Sequence, residues 1–108
     1  MNIDNFASLK ILKENLEREA DDSLQGVKEI KQKCLEAVKL IDDLRFKNNS
    51  AHVQLATRHA LQYINKALFK IEAYFVAYSP VTKTSTVNIN DICSPAQSGL
   101  EIILNLNY

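Results

Sequence analysis

Apolar side chains recur at helical spacing along most of the chain and divide it into three amphipathic segments and a tail of different character. In the first segment, about residues 4–19, Phe6, Leu9, Leu12 and Leu16 step by three and four, and Asp4 is placed to cap the start. Ala20-Asp21-Asp22-Ser23 reads as a break, with Asp22 or Ser23 capping the second segment. One helix running through it is the alternative, which Gly26 weakens. The second segment, about 23–46, carries Leu24, Val27, Ile30, Cys34, Ala37, Ile41 and Leu44 on one stripe, widened by Leu35 and Val38. Lysines and carboxylates fill its other side and read as a solvated face.

Lys47-Asn48-Asn49 is a short connector, which favours antiparallel neighbours. Asn tolerates the left-handed backbone that ends helices, and Ser50 can cap the next one. The third segment, about 51–78, contains neither Gly nor Pro and stops before Pro80. Its apolar arc includes Val53, Ala56, Ala60, Leu61, Ile64, Ala67, Leu68, Ile71, Tyr74, Phe75 and Tyr78. The alanines let another helix approach closely. Ala56, Ala60, Ile64, Ala67 and Ile71 are therefore expected to form a helix-packing or oligomer interface.

Beyond Pro80 the pattern changes. Val81 to Ile89 is rich in Thr and Val, and Leu100, Ile102, Leu104 and Leu106 alternate with other residues. A β-hairpin of about 81–89 and 99–107, packed on the helices or paired with another subunit, is the preferred expectation. The alternative is a short helix, because Ser94-Pro95-Ala96-Gln97 matches a capping box with Pro at the first helical position. The predicted fold is mainly α: one domain over 1–108, with a helical hairpin or bundle at 1–79 and an extension at 80–108.

Composition adds limits. A chain of 108 residues supports one core but buries a limited share of its surface, so a homo-oligomer is expected. Formal net charge is zero, giving no reason to predict DNA binding. The charge is unevenly placed. Residues 51–83 hold four basic side chains against Glu72 alone, and beyond them only Asp91 and Glu101 are charged. No basic-then-apolar N-terminal segment and no bilayer-length apolar run occur, so the expectation is a cytoplasmic protein with no membrane association. Cys34 reads as core and Cys93 as a loop thiol without a basic neighbour; both are expected to be reduced.

One flank of the third segment carries candidate chemistry. His52, His59, Lys66 and Lys70 fall within about 40° of arc on an ideal helix, with Tyr63 beside them. Ammonium groups bind phosphate, and Tyr or His stacks on a base, so the flank could hold an anionic nucleotide, especially if a second subunit closes over it. An ordinary polar boundary strip is the other reading. Arg58 lies well off this flank. His52 and His59 stand about 10 Å apart along the axis, too far to share one metal ion, so no metal or cofactor is expected. The chain carries no glycine-rich phosphate loop and no nucleophile elbow, and no enzymatic activity is expected. Arg45 and His52 loosely match the spacing of the HEPN ribonucleases, although the pair straddles the predicted turn and Phe46 stands where those proteins have a polar residue.

Residues 27–78 also resemble a family. Ile30-Lys31, Ala37-Val38, Ile41 and Leu44, a short polar turn, then Ala56 and Ala60-Leu61-Gln62-Tyr63-Ile64-Asn65-Lys66-Ala67 are similar to the helical hairpin of phage anti-CBASS sponge proteins, shared with some anti-Thoeris sponges. This resemblance implies a phage-associated, anti-defence oligomer that sequesters cyclic oligonucleotide second messengers without cleaving them. It further implies that the alanine face joins subunits and the basic flank meets phosphates between them. The alternative is a helical adaptor or immunity-type protein that binds another protein through the hairpin and the uncharged tail.

Overall fold

The computed structural model describes residues 3–18 and 23–106. Four helices occur in order: α1 (Ile3–Arg18), α2 (Leu24–Lys47), α3 (Ala51–Ala77) and α4 (Ile89–Leu104). The described part measures 50 × 21 × 17 Å, a slender bundle longer than its longest helix, α3, which spans about 40 Å. The fold is thus mainly α, and the helical bundle expected from periodicity is present.

Two of the four helices start at a side-chain cap. Ser23 caps α2, its side chain accepting from the Gly26 N–H at 3.0 Å. Asp4 falls inside α1, which starts at Ile3, and the expected break at residues 20–22 lies outside the described residues. Ser50 precedes α3 but makes no side-chain cap. The hairpin turn is instead fastened by Gln54, whose Nε2 donates to the carbonyls of Arg45 at 2.7 Å and Asn48 at 2.8 Å. Those carbonyls end α2 and have no intrahelical partner, so one side chain satisfies both. Asn48 has extended backbone, with φ of −135°, not the left-handed form its residue type suggested. Among the described residues the one non-glycine with positive φ is Lys83, at 60°.

α2 and α3 run antiparallel, as their contacts show. Arg45 meets Gln54 at one end, and Lys31 pairs with Glu72 at 2.9 Å further along. The buried residues Val27, Ile30, Cys34, Ala37, Ile41 and Leu44 of α2 face Val53, Ala60, Ile64, Ala67, Ile71 and Tyr74 of α3 across a common core. Thr57 is fully buried among them and satisfies its hydroxyl by donating to its own helix, to the carbonyls of Val53 and Gln54. α1 packs in cis on α4 and α2 through Leu9 and Leu12.

The tail overturns the preferred hairpin of strands. Residues 89–104 are helical, and the extended structure among the described residues is limited to one isolated bridge between Ser79 and Thr84. The short-helix alternative is nearer, but the helix starts earlier than the capping-box pattern suggests. Asn88 is the N-cap, accepting from Asn90 N–H at 2.9 Å, and Pro95 sits inside α4 rather than at its first position. The physical reason is burial. Ile92, Cys93, Ala96, Gly99, Leu100 and Ile103 step by three and four and are all buried, outweighing the hydrogen bond that Pro95 cannot donate. The alternation of Leu100, Ile102, Leu104 and Leu106 is incidental, since the more buried set is Leu100, Ile103 and Leu106. Cys93 accordingly lies in a buried helix and not in a loop.

The Thr- and Val-rich segment before α4 forms a compact strap. Ser79 and Thr84 close a turn (Ser79 N–H to Thr84 O and Lys83 N–H to Ser79 O, both 2.7 Å), and Ser85 Oγ donates to the Tyr74 carbonyl at 2.9 Å, satisfying the end of α3. α4 then returns antiparallel along α3, its most extensive partner. At Gly99 the approach is so close that an added Cβ would lie 2.8 Å from the Ala60 carbonyl oxygen.

Candidate functional site

The basic flank lies on the solvent side of α3, and the rigid α2–α3–α4 core fixes its direction. His52, His59, Tyr63 and Lys66 are exposed and Lys70 is half-buried. Three of these five come together. His59, Tyr63 and Lys66, with Gln62, line one shallow depression of about 300 Å³. Their spacing explains this, because positions i, i+3, i+4 and i+7 share a helix face. His52 lies one turn or more towards the hairpin turn and Lys70 one turn towards the C-terminal end, and neither lines the depression. Among the described residues none of the five has an ion pair or side-chain hydrogen bond, so the cationic flank is not neutralised from within.

The depression combines an exposed aromatic ring, an ammonium group, an imidazole and an amide. These can stack on a planar heterocycle, neutralise an oxyanion and donate or accept hydrogen bonds at its edge. Tyr63 is 42% exposed, enough for one face of its ring to take a ligand. Its base is fixed, since the Gly99 position of α4 lies against the Tyr63 Cβ.

The expected interface residues are covered by the chain's own helices. Ala60, Ile64, Ala67 and Ile71 are fully buried and Ala56 is half-buried. The alanine edge receives α4, with Gly99 against Ala60.

A second concavity has little sequence signature. A cavity of about 500 Å³ is lined by Ser23, Tyr74 and the run from Lys83 to Ile89. The start of α2 and the start of α4 border it, together with the hydroxyls of Thr84, Ser85 and Thr86. The hydroxyl-rich sequence Thr82 to Thr86 is its one visible sign, and it reads as strand propensity. Its polar groups already serve structure: Thr82 and Thr84 hydroxyls bond at 2.8 Å, and Ser85 is bound to Tyr74 and Val87.

Arg45 closes α2 and His52 opens α3, on either side of the hairpin turn; Arg45 is half-buried and His52 exposed. Among the described residues no three His, Cys, Asp or Glu side chains cluster to hold a metal ion, and no helix is long and apolar enough to cross a membrane. Burial, and then the neighbouring Cys93, push the Cys34 thiol up to about 12, and burial also raises Cys93. Both thiols therefore stay protonated and unreactive at neutral pH.

Compared with known proteins, the chain matches no family model, no curated protein and no solved structure at a significant level.

Proposed function

We propose that this protein is a non-enzymatic, oligomeric helical binding module that holds a small anionic nucleotide on the outer flank of α3. The observation that carries the reading is the meeting of His59, Tyr63 and Lys66, with Gln62, around one depression. An exposed ring beside an unpaired ammonium suits a base and its phosphate together. Lys66 supplies charge, Tyr63 a stacking face, and His59 and Gln62 edge contacts. His52 and Lys70 extend the positive potential along the helix. The hairpin's resemblance to anti-CBASS sponges names the ligand class as a cyclic oligonucleotide, sequestered to counter an immune signal. No nucleophile or metal centre is part of this reading, so the ligand is released unchanged.

Calorimetric titration with a panel of cyclic di- and trinucleotides tests it. Wild type binds one member, and Lys66→Ala weakens binding by about tenfold or more with the helical circular dichroism unchanged. Lys70→Ala costs less, because Lys70 stands outside the depression. Equal affinity of wild type and Lys66→Ala would overturn the site.

A second reading, a helical adaptor for another protein, is supported by Phe46, which is 83% exposed near the hairpin tip. The tail is a poor docking arm for it, since α4 is part of the core. Indifference to nucleotides together with partner binding lost in Phe46→Ser would favour this reading.

A further inference from the structure

The face of α3 opposite the core carries a second apolar seam. Leu55, Phe69 and Val76 are 53%, 72% and 88% exposed, and with Gln62 they recur every seven residues. A seven-residue repeat drifts only about 20° per step, so the four positions form one stripe about 32 Å long. Three exposed apolar side chains in line with one amide along a rigid helix offer a docking surface when the charges beside them also have a partner to meet.

The charges beside it say what docks. Arg58 and Glu72 lie on the same flank of the stripe, seven residues before and seven after Asn65. Arg58 has no ion-pair partner among the described residues. Glu72 is well exposed, and Lys31 engages its Oε1 at 2.9 Å, leaving Oε2 for another donor. The apolar positions are symmetric about nearly the same point: Leu55 balances Val76, and Gln62 balances Phe69. A surface whose members exchange under a twofold rotation is what an isologous interface requires.

We propose that a second copy of this chain packs antiparallel on the outer face of α3, about a twofold axis beside Asn65, so that Arg58 of each copy meets Glu72 of the other. Leu55 then packs near the partner's Val76, and Phe69 lies against the aliphatic stem of the partner's Gln62, leaving its amide to the depression. On the opposite flank the two Lys66 side chains come near the axis, and the depression by His59 and Tyr63 gains a second wall. That last consequence rests on the nucleotide reading of the site. The dimer itself does not.

Sedimentation equilibrium of the full chain without nucleotide tests the dimer. Wild type is dimeric. Phe69→Glu weakens the dimer by about a hundredfold, since two rings per dimer lose their cover. Arg58→Glu weakens it by about tenfold or more by opposing like charges, and Arg58→Glu combined with Glu72→Arg restores it. Circular dichroism confirms that each variant keeps its helices. A wild type that is monomeric up to its solubility limit overturns the proposal, as does an Arg58→Glu variant that dimerises as well as wild type. Failure of the double reversal to restore the dimer also overturns it and points to a dimer built with a different pairing. Nucleotide titration of Lys66→Ala is read separately: a dimer that no longer binds ligand keeps this inference, and a dimer that never bound any removes the nucleotide reading alone.

Discussion

Replacing Gly99 by Ala tests the packing that holds the candidate site in place. The new Cβ would lie 2.8 Å from the Ala60 carbonyl oxygen, 2.9 Å from Ile64 Cγ1 and 3.2 Å from Tyr63 Cβ. The first contact is with backbone and cannot be relieved by a rotamer change. The second is with a side chain that is itself fully buried. α4 must therefore retreat from α3 by several tenths of an ångström, loosening contacts along the most extensive helix pair in the bundle. Overpacking costs about 1–3 kcal/mol, and two contacts under 3.0 Å, one of them to backbone, place this case at about 2–3 kcal/mol. Against it stands the helix preference of Ala over Gly, about 1 kcal/mol in a helix interior. The net expectation is a loss of about 1–2 kcal/mol, or roughly 5–15 °C in melting temperature for a domain of this size. Urea and thermal unfolding followed by circular dichroism at the helical band measure it. Since the third contact is with Tyr63, nucleotide affinity should fall in the same variant. A Gly99→Ala protein as stable as wild type, or more stable, would refute the close approach, because propensity would then be acting unopposed.

Other substitutions probe the remaining contacts. Gln54→Ala leaves the Arg45 and Asn48 carbonyls without their shared donor and should cost about 1–2 kcal/mol in urea unfolding; no change would show that water replaces it fully. Pro95→Ala restores a helical N–H inside α4 and should raise stability by about 1–3 kcal/mol; a destabilised variant would argue that residues 89–104 are not a continuous helix. Both thiols should resist a water-soluble disulfide reagent in the native protein and react in urea, and rapid native labelling would contradict their burial. The raised thiol pKa of Cys34 also sets a pH dependence. The unfolded thiol ionises near 9 while the folded one holds its proton to about 12, so stability is level below pH 9 and falls as pH rises through that window. A Cys34→Ala variant, less stable at neutral pH, should show a shallower alkaline decline.

The helices legible in the sequence are those whose periodicity and burial agree. α2 and α3 carry long apolar stripes, and Val27, Ile30, Cys34, Ala37, Ile41 and Leu44 are buried where their spacing places them. α4 is obscured because two periods overlap in it. Thr and Val before it favour strand, Leu100 to Leu106 alternate, and Pro95 argues against an uninterrupted helix. The deciding factor is non-local: Gly99 is small, and α3 offers Ala60 opposite it. That complementarity cannot be read from either segment alone. The alanines of α3 do signal close approach, but whether the approaching helix belongs to the same chain is not legible in them. The flank residues share one helical stripe, as ideal geometry requires, yet the depression selects His59, Tyr63 and Lys66. The stripe is longer than any one concavity on a straight helix. The outer seam of Leu55, Phe69 and Val76 is inconspicuous in the sequence because its members stand a multiple of seven residues apart with Gln62 among them, a spacing too sparse to register as a second face beside the broad apolar arc. Exposure separates them only once the partners of that arc are placed.

A native mass spectrum of the freshly purified protein tests nucleotide holding by an oligomer most directly, because it reads stoichiometry and any retained small molecule at once. The predicted result is a dimer that carries, or takes up on addition, the mass of a cyclic oligonucleotide, with the ligand lost in Lys66→Ala. A protein that stays free of ligand across the whole panel of cyclic nucleotides would contradict it and leave the α3 flank as solvated surface.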